Sequence, residues 1–263
     1  MKFAIISDIH IGQEEEFKGV IQKMSRHSLP FLNEFIKKMN SEIKPEFVVN
    51  LGDAINDIDR ETDIKNLQLA LTTLNKLTCP VYNLVGNHKQ RKIELEELER
   101  IVDHKPLYYS FDTNDYHLVV LFSDDYDKKG PIISGNQKRW LQKDLGNTAK
   151  QTIVFIHHSL ADQDLTGNIW FEGRPERSLI HHREEIRKIL EDSKKVRAVF
   201  NGHLHWNKMD VHNGIPYFNI QSLVENFKGE DQPSKTWAIV EITPKAINVD
   251  IQGADKQMYL HER

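Results

Sequence analysis

Short apolar runs alternate along this chain with longer segments whose apolar positions recur every three or four residues. Lys2–Ser7, Phe47–Leu51, Val81–Val85, Leu118–Phe122, Thr152–Ile156 and Val196–Asn201 are too short for helices and rich in β-branched and aromatic residues, so they predict strands. Between them, Pro30–Asn40, Ile64–Leu77, Ile93–Val102, Gln137–Leu145 and Arg183–Glu191 carry helical stripes. In the first, Phe31, Leu32, Phe35, Ile36 and Met39 share a face, and Ser28 is the expected N-cap. Strand–helix alternation of this kind marks a layered α/β fold. The rhythm then changes. Met209–Val211, Tyr217–Ile220, Trp237–Ile242 and Ile247–Ile251 are strand-like and punctuated by Asn213-Gly214 and Pro244, which predicts an antiparallel meander. Leu160–His182 follows neither period and holds Gly167, Trp170, Phe171, Gly173 and Pro175. A loop that long in a compact domain is usually functional or mobile, and its aromatics either meet a substrate or pack over the core edge.

Composition narrows the class. The 263 residues, 39% of them apolar, suit one large domain, with no internal repeat or low-complexity tract. No apolar run nears the roughly 20 residues that span a bilayer, and the N-terminal run reads as a strand rather than a signal peptide. With Cys79 the single cysteine, neither an internal disulfide nor a cysteine zinc site can form, and a cytoplasmic setting is expected. The net charge of −4, without a basic stripe, argues against a nucleic-acid partner. Were there a nucleic-acid surface, Arg174–Arg187 with its four arginines would be the place for it. The apolar tail either forms a homodimer surface or completes a second sheet.

The chemistry lies at the strand ends. Five of the runs lead into Asp8-Ile9-His10, Gly52-Asp53, Gly86-Asn87-His88, His157-His158 and Gly202-His203-Leu204-His205. Residues just past the C-terminal ends of parallel strands converge on one crevice, so carboxylates and imidazoles far apart in sequence can meet. In Asp-x-His and His-x-His, an extended backbone would point both side chains to one side. The glycines before Asp53, Asn87 and His203 allow close backbone approach that a Cβ would obstruct. Mixed oxygen and imidazole donors suit manganese, iron or zinc better than magnesium or calcium.

This ordered set, from Asp8 to His205, resembles the calcineurin-like metallophosphoesterase family. The resemblance implies a four-layer α/β/β/α sandwich, two mixed sheets flanked by helices, formed by residues 1–263 as one domain; its aperiodic segment 160–182 is expected to be a substrate-facing insertion. It implies that Asp8, His10 and His205 bind one metal ion, that Asn87, His157 and His203 bind the other, and that Asp53 bridges them. His88 would contact the substrate phosphate as acid or charge stabiliser, and a hydroxide held by the metals would attack. Asn56, expected to contact the substrate, resembles the bacterial cyclic-nucleotide and glycerophosphodiester phosphodiesterase group, whereas protein phosphatases carry Asp there and follow it with Arg. The chain departs from that group at Lys89, where an acidic residue is usual, and at Ser159-Leu160, where prolines are usual. Lys89, with Arg91, is expected to bind an anionic substrate or to point to solvent. His158 is expected either to face away from the metals or to lie toward the substrate entrance. The other histidines, His27, His104, His117, His181, His182, His212 and His261, lack motif context and read as structural or surface residues. The expected activity is hydrolysis of a phosphodiester such as a cyclic nucleotide, a glycerophosphodiester or a nucleotide diphosphate conjugate. The alternatives are a phosphomonoesterase and a non-catalytic protein-binding scaffold.

Overall fold

The structure, a computed structural model, describes residues 1–89, 93–113, 115–124 and 129–262. Its strands are β1 (Lys2–Ile6), β2 (Glu15–Phe17), β3 (Val20–Lys23), β4 (Val48–Asn50), β5 (Val81–Asn83), β6 (Tyr109–Asp112) and β7 (Tyr116–Val120). After these come β8 (Gln151–Phe155), β9 (Val196–Asn201), β10 (Lys208–His212), β11 (Ile215–Asn219), β12 (Trp237–Ile242), β13 (Ala246–Gln252) and β14 (Gln257–Glu262). The helices are α1 (Ser28–Lys38), α2 (Arg60–Leu74), α3 (Leu95–Ile101), α4 (Gly135–Asn147) and α5 (Arg183–Asp192). Two six-stranded sheets form, in the orders β14-β13-β12-β1-β4-β5 and β10-β11-β9-β8-β7-β6, beside a small β2-β3 hairpin. Both large sheets mix parallel and antiparallel pairs.

Period-two alternation explains the four layers. Along β1, Phe3 and Ile5 point between the sheets, while Ala4 and Ile6 point outward to α1 and α2. Along β8, Ile153 and Phe155 point inward, while Val154 and Ile156 pack under α4 and α5. Both faces of each central strand are therefore apolar, as buried parallel strands require. Phe3 joins the two sheets, stacking on Phe47 at 4.8 Å and meeting Phe155 and Phe200 edge-on at 5.7 and 5.8 Å. The result is helices, sheet, sheet, helices.

Three expectations are corrected. The tail is not one meander: β10 and β11 join the second sheet, with β11 parallel to β9, and only β12–β14 run antiparallel on the first. The Asn213-Gly214 hairpin was legible, but which sheet it joins depends on long-range pairing. Ser28 does not cap α1. His27 holds that position, and the Ser28 hydroxyl donates instead to the carbonyls of Ile9 (2.6 Å) and His10 (3.1 Å), bracing the loop after β1. The segment 174–187 does not present four free arginines, because two of them, Arg183 and Arg187, pair with Asp162. Unforeseen were β6, β14 and the charged β2–β3 hairpin, whose turn is Lys18-Gly19 with both residues at positive φ.

Candidate metal centre

Three loops of the first sheet and two of the second meet at one rim of the sandwich. The loop after β1 runs beside the loop after β4: Asp8 N–H donates to Gly52 O and His10 N–H to Asp53 O. The loop after β9 reaches the loop after β8 through Gly202 N–H and His157 O, at 3.1 Å. Asp8, His10, Asp53, His203 and His205 all adopt φ between 46° and 66°. The Asp-x-His and His-x-His pairs therefore do not lie on extended backbone, as their spacing suggested. These five residues sit in left-handed turns instead, a conformation costing about 1 kcal/mol or more for a residue with a Cβ. The surrounding hydrogen bonds hold them there.

The glycines behave as close-approach positions. A Cβ on Gly86 would overlap Asp53 Oδ1, one on Gly202 would overlap Ser7 Oγ, and one on Gly52 would lie 2.7 Å from His157 Nδ1. Their absence lets each carboxylate be pinned from behind. Asp8 Oδ2 accepts from His203 N–H (3.1 Å) and from the Ser7 hydroxyl, and Asp53 Oδ1 accepts from His88 N–H (3.1 Å). The other oxygens, Asp8 Oδ1 and Asp53 Oδ2, are thereby aimed at imidazoles.

Two groups of donor atoms result. In one, His10 Nε2 and His205 Nε2 face each other at 3.1 Å, with Asp8 Oδ1 at 3.7 and 3.2 Å from them. In the other, His157 Nε2 lies 3.2 Å from both Asn87 Oδ1 and Asp53 Oδ2. His203 adds a ring 5.1 Å from that of His157; its Nε2 donates to Arg177 O, leaving Nδ1 for a ligand. Potential donor atoms of Asp8, Asp53 and His157 also fall within 4.8 Å of one another, so Asp53 stands between the groups. The residues fit a pair of cations. Asp8 Oδ1 is buried without a hydrogen-bond partner, which is costly unless a cation takes that place.

Electrostatics agree with that fit. Burial alone would raise the Asp53 carboxyl, but His157, by its charge and its hydrogen bond, holds it well below the usual carboxylate range. Burial, with Lys23 and His205 nearby, pushes His10 well down; burial and His157 take His203 down to about 3. Both rings are neutral and offer lone pairs. Burial also opposes charge on His205, yet Glu225 and Asp8 outweigh it and raise the ring to about 9. A proton there does the work a metal ion can do.

The remaining expected residues divide. His88 lines the mouth, with Nδ1 3.1 Å from Asp57 Oδ2 and Nε2 3.0 Å from Lys23 Nζ. His158 is fully buried, bonded to the Ser123 hydroxyl at 2.7 Å, with its ring 4.2 Å from that of His203 and tilted 54° to it. It lies beneath the centre rather than at an entrance, so it braces or supplements the second donor group and is not placed to touch substrate. Asn56 is also buried, donating to Gln13 O (2.7 Å) and Ser25 Oγ (2.9 Å), which makes it a tie between loops. Lys89 closes a 3-10 turn, Asn87–Lys89; its side chain and Arg91 lie outside the described residues.

Sequence reading missed three groups. Asp57, the residue after Asn56, was given no role, yet it orients His88. Glu225, 20 residues beyond the last motif, accepts from His205 Nδ1 at 2.6 Å and from Trp170 Nε1 at 2.9 Å. Lys23 comes from the unforeseen hairpin. Only Asp57 had a local signal, its position four residues after Asp53.

Above the centre opens a cavity of about 360 Å³, floored by Asp53, Asn87, His203 and His205. Its walls include Glu15, Lys23, Asp57 and His88, together with Trp170, Phe171, Glu176 and Arg177 from the aperiodic segment.

The family model described as calcineurin-like phosphoesterase matches residues 1–207. A probable cyclic nucleotide phosphodiesterase of Psychrobacter arcticus is 21% identical over 72% of this chain and 67% of its own. The manganese-dependent ADP-ribose/CDP-alcohol diphosphatase of Oryza sativa subsp. japonica is 26% identical over 97% of this chain and 91% of its own. Among solved structures, a dimetal phosphatase from Danio rerio superposes with a TM-score of 0.80 at 15% identity, covering 99% of this chain and 98% of that one.

Proposed function

The chain belongs to the calcineurin-like phosphoesterase family, and from that premise we propose that it is a dinuclear-metal phosphodiesterase acting on a small, nucleotide-sized diester. The observation that carries the proposal is the pair of donor groups meeting at Asp53 on the floor of an open cavity. In this reading Asp8, His10 and His205 hold one ion; Asn87, His157 and His203 hold the other; Asp53 is shared. Manganese is the first choice, because the rice relative is named as manganese-dependent and the donors mix oxygen with imidazole. When bound, the pair would supply hydroxide near neutral pH and neutralise charge on the phosphoryl oxygens.

The protein's own residues then orient and screen. Glu225 and Leu51 O fix the rings of His205 and His157 through their Nδ1 atoms, directing both Nε2 atoms inward. Asp57 fixes His88 in the same way. Trp170 and Phe171 give segment 160–182 the role of a substrate-facing wall, Phe171 packing 4.7 Å from His203. A diester fits better than a monoester because Glu15, Asp57 and Glu176 also line the walls and would repel a dianionic phosphate. No helix of the described residues is long and apolar enough to cross a membrane. A cytoplasmic setting remains part of the proposal, on the single Cys79. So does a homodimer through the tail, whose strand β14 exposes Met258 and Leu260.

The test is a manganese-supplemented substrate panel: bis- and mono-nitrophenyl phosphate, a cyclic nucleotide, ADP-ribose and a glycerophosphodiester. Hydrolysis of diesters over the monoester is expected. A strict preference for mono-nitrophenyl phosphate would overturn the diester assignment, and inactivity with stoichiometric metal absent would overturn the enzyme assignment.

A further inference from the structure

Lys23 is the residue that the motifs leave unexplained. It ends β3, its relative exposure is 4%, and its ammonium points into the cavity rather than to solvent. A lysine is almost never that buried unless its charge has a task or a partner. All three of its N–H groups are accounted for. One faces Glu15 Oε2 at 2.8 Å, one faces His88 Nε2 at 3.0 Å, and the third side lies over the Trp170 ring at 5.1 Å. Backbone pairing with Glu225 ties the same residue to the carboxylate that holds His205.

The contact with His88 has a chemical consequence. An ammonium can only donate, so His88 Nε2 must accept, and the ring proton sits on Nδ1, where it donates to Asp57. His88 therefore carries no proton at the nitrogen that faces the cavity. The group that does carry protons there is Lys23. Nε2 of His88 is itself 3.8 Å from Asp53 Oδ2, so the ammonium is one hydrogen bond removed from the shared carboxylate.

We propose that Lys23 is a catalytic residue that stabilises the leaving oxygen of the diester, with Glu15 as the counter-ion that holds its ammonium ready and His88 as its resting acceptor. The proposal rests on the phosphodiesterase reading above. As a water oxygen bonds to phosphorus, the bond from phosphorus to the leaving oxygen breaks and its electron pair stays on that oxygen. Lys23 turns one N–H from His88 to that oxygen and keeps all its protons. The proton the leaving group finally takes up is one the attacking water gave up. A fixed ammonium in a site walled by Trp170 is worth more than one in water, because little solvent screens it.

A purely structural lysine would hold the hairpin against Trp170 and do nothing else, and leaving-group dependence separates the two roles. Lys23→Gln and Lys23→Arg are compared with wild type, loaded with manganese, on a nitrophenyl diester and on a diester with an alkyl or nucleoside leaving group. Nitrophenolate needs little help, so Lys23→Gln should cost less than about tenfold in kcat there and about 10²–10³-fold on the poor leaving group. Lys23→Arg should restore part of the loss. Equal losses on both esters, or no loss on either, overturn the proposal. In the metal-free protein, nitrogen NMR of His88 should show Nε2 unprotonated in wild type; a proton on Nε2 would also overturn it. Failure of wild type on every ester would count against the phosphodiesterase reading itself, while the NMR result still reports on Lys23 and His88.

Discussion

Glu225→Gln is a nearly isosteric change that should weaken one metal ion and spare the other. The carboxylate is 3% exposed and accepts two hydrogen bonds, from His205 Nδ1 at 2.6 Å and from Trp170 Nε1 at 2.9 Å. Glutamine offers one acceptor oxygen, so one of those donors must face an NH2 group. An unpaired buried donor costs about 1–3 kcal/mol. If His205 is the donor left facing NH2, its ring gains by moving its proton to Nε2, the nitrogen needed beside His10 and Asp8. Loss of such an outer partner typically costs about 10–100-fold in metal affinity, or about 1.4–2.8 kcal/mol at about 1.4 kcal/mol per decade. Calorimetric titration with manganese should then resolve a weakened site and an unchanged one, the latter at Asn87, His157 and His203. Trp170→Phe removes the competing donor and should leave both affinities near wild type. Two unchanged sites in Glu225→Gln, or equal weakening of both, would refute this reasoning.

Further outcomes follow from the same geometry. Gly86→Ala should abolish stoichiometric metal, measured by elemental analysis, and destabilise the fold by several kcal/mol, because its Cβ would overlap Asp53 Oδ1 and sit 2.6 Å from Asp53 N. His88→Ala should keep the metal content and lower kcat by up to about 10²–10³-fold, the cost of misplacing the Lys23 ammonium that it holds; loss of metal instead would make His88 a ligand. Asp57→Asn should likewise spare metal and lower kcat, since it frees the His88 ring to turn over. Away from the site, His117 bridges Asp144 at 2.8 Å and Asp112 at 2.7 Å, and these bonds raise its pKa against the effect of burial. Its contribution is fully present below pH 6.5 and is lost as pH rises through the folded value. His117→Gln should therefore lower Tm by about 2 °C, equivalent to about 1 kcal/mol, at pH 6 and by less at pH 9. An equal drop at both pH values would refute the charged pairing.

The sequence by itself determined the layers and the list of donors. Apolar runs with both faces buried can only be central strands, and amphipathic stripes of helical period can only cover them, so β1, β4, β8 and β9 with their flanking helices were legible locally. The donors were legible because each follows a strand end and three follow a glycine. What the local pattern could not contain was decided by the tertiary structure. The left-handed turns at Asp8, His10, Asp53, His203 and His205 are held by hydrogen bonds between loops far apart in sequence, within each sheet and from His203 N–H to Asp8 across them, and spacing alone suggested extended backbone there. The split of the tail between the sheets depends on β11 finding β9, a pairing its alternation does not encode. Glu225 and Lys23 carry no motif because their work is done on side chains 20 and 65 residues away. A side chain that acts by filling a hydrogen-bond vacancy is chosen by its neighbours in space, and those exist only once the chain has folded.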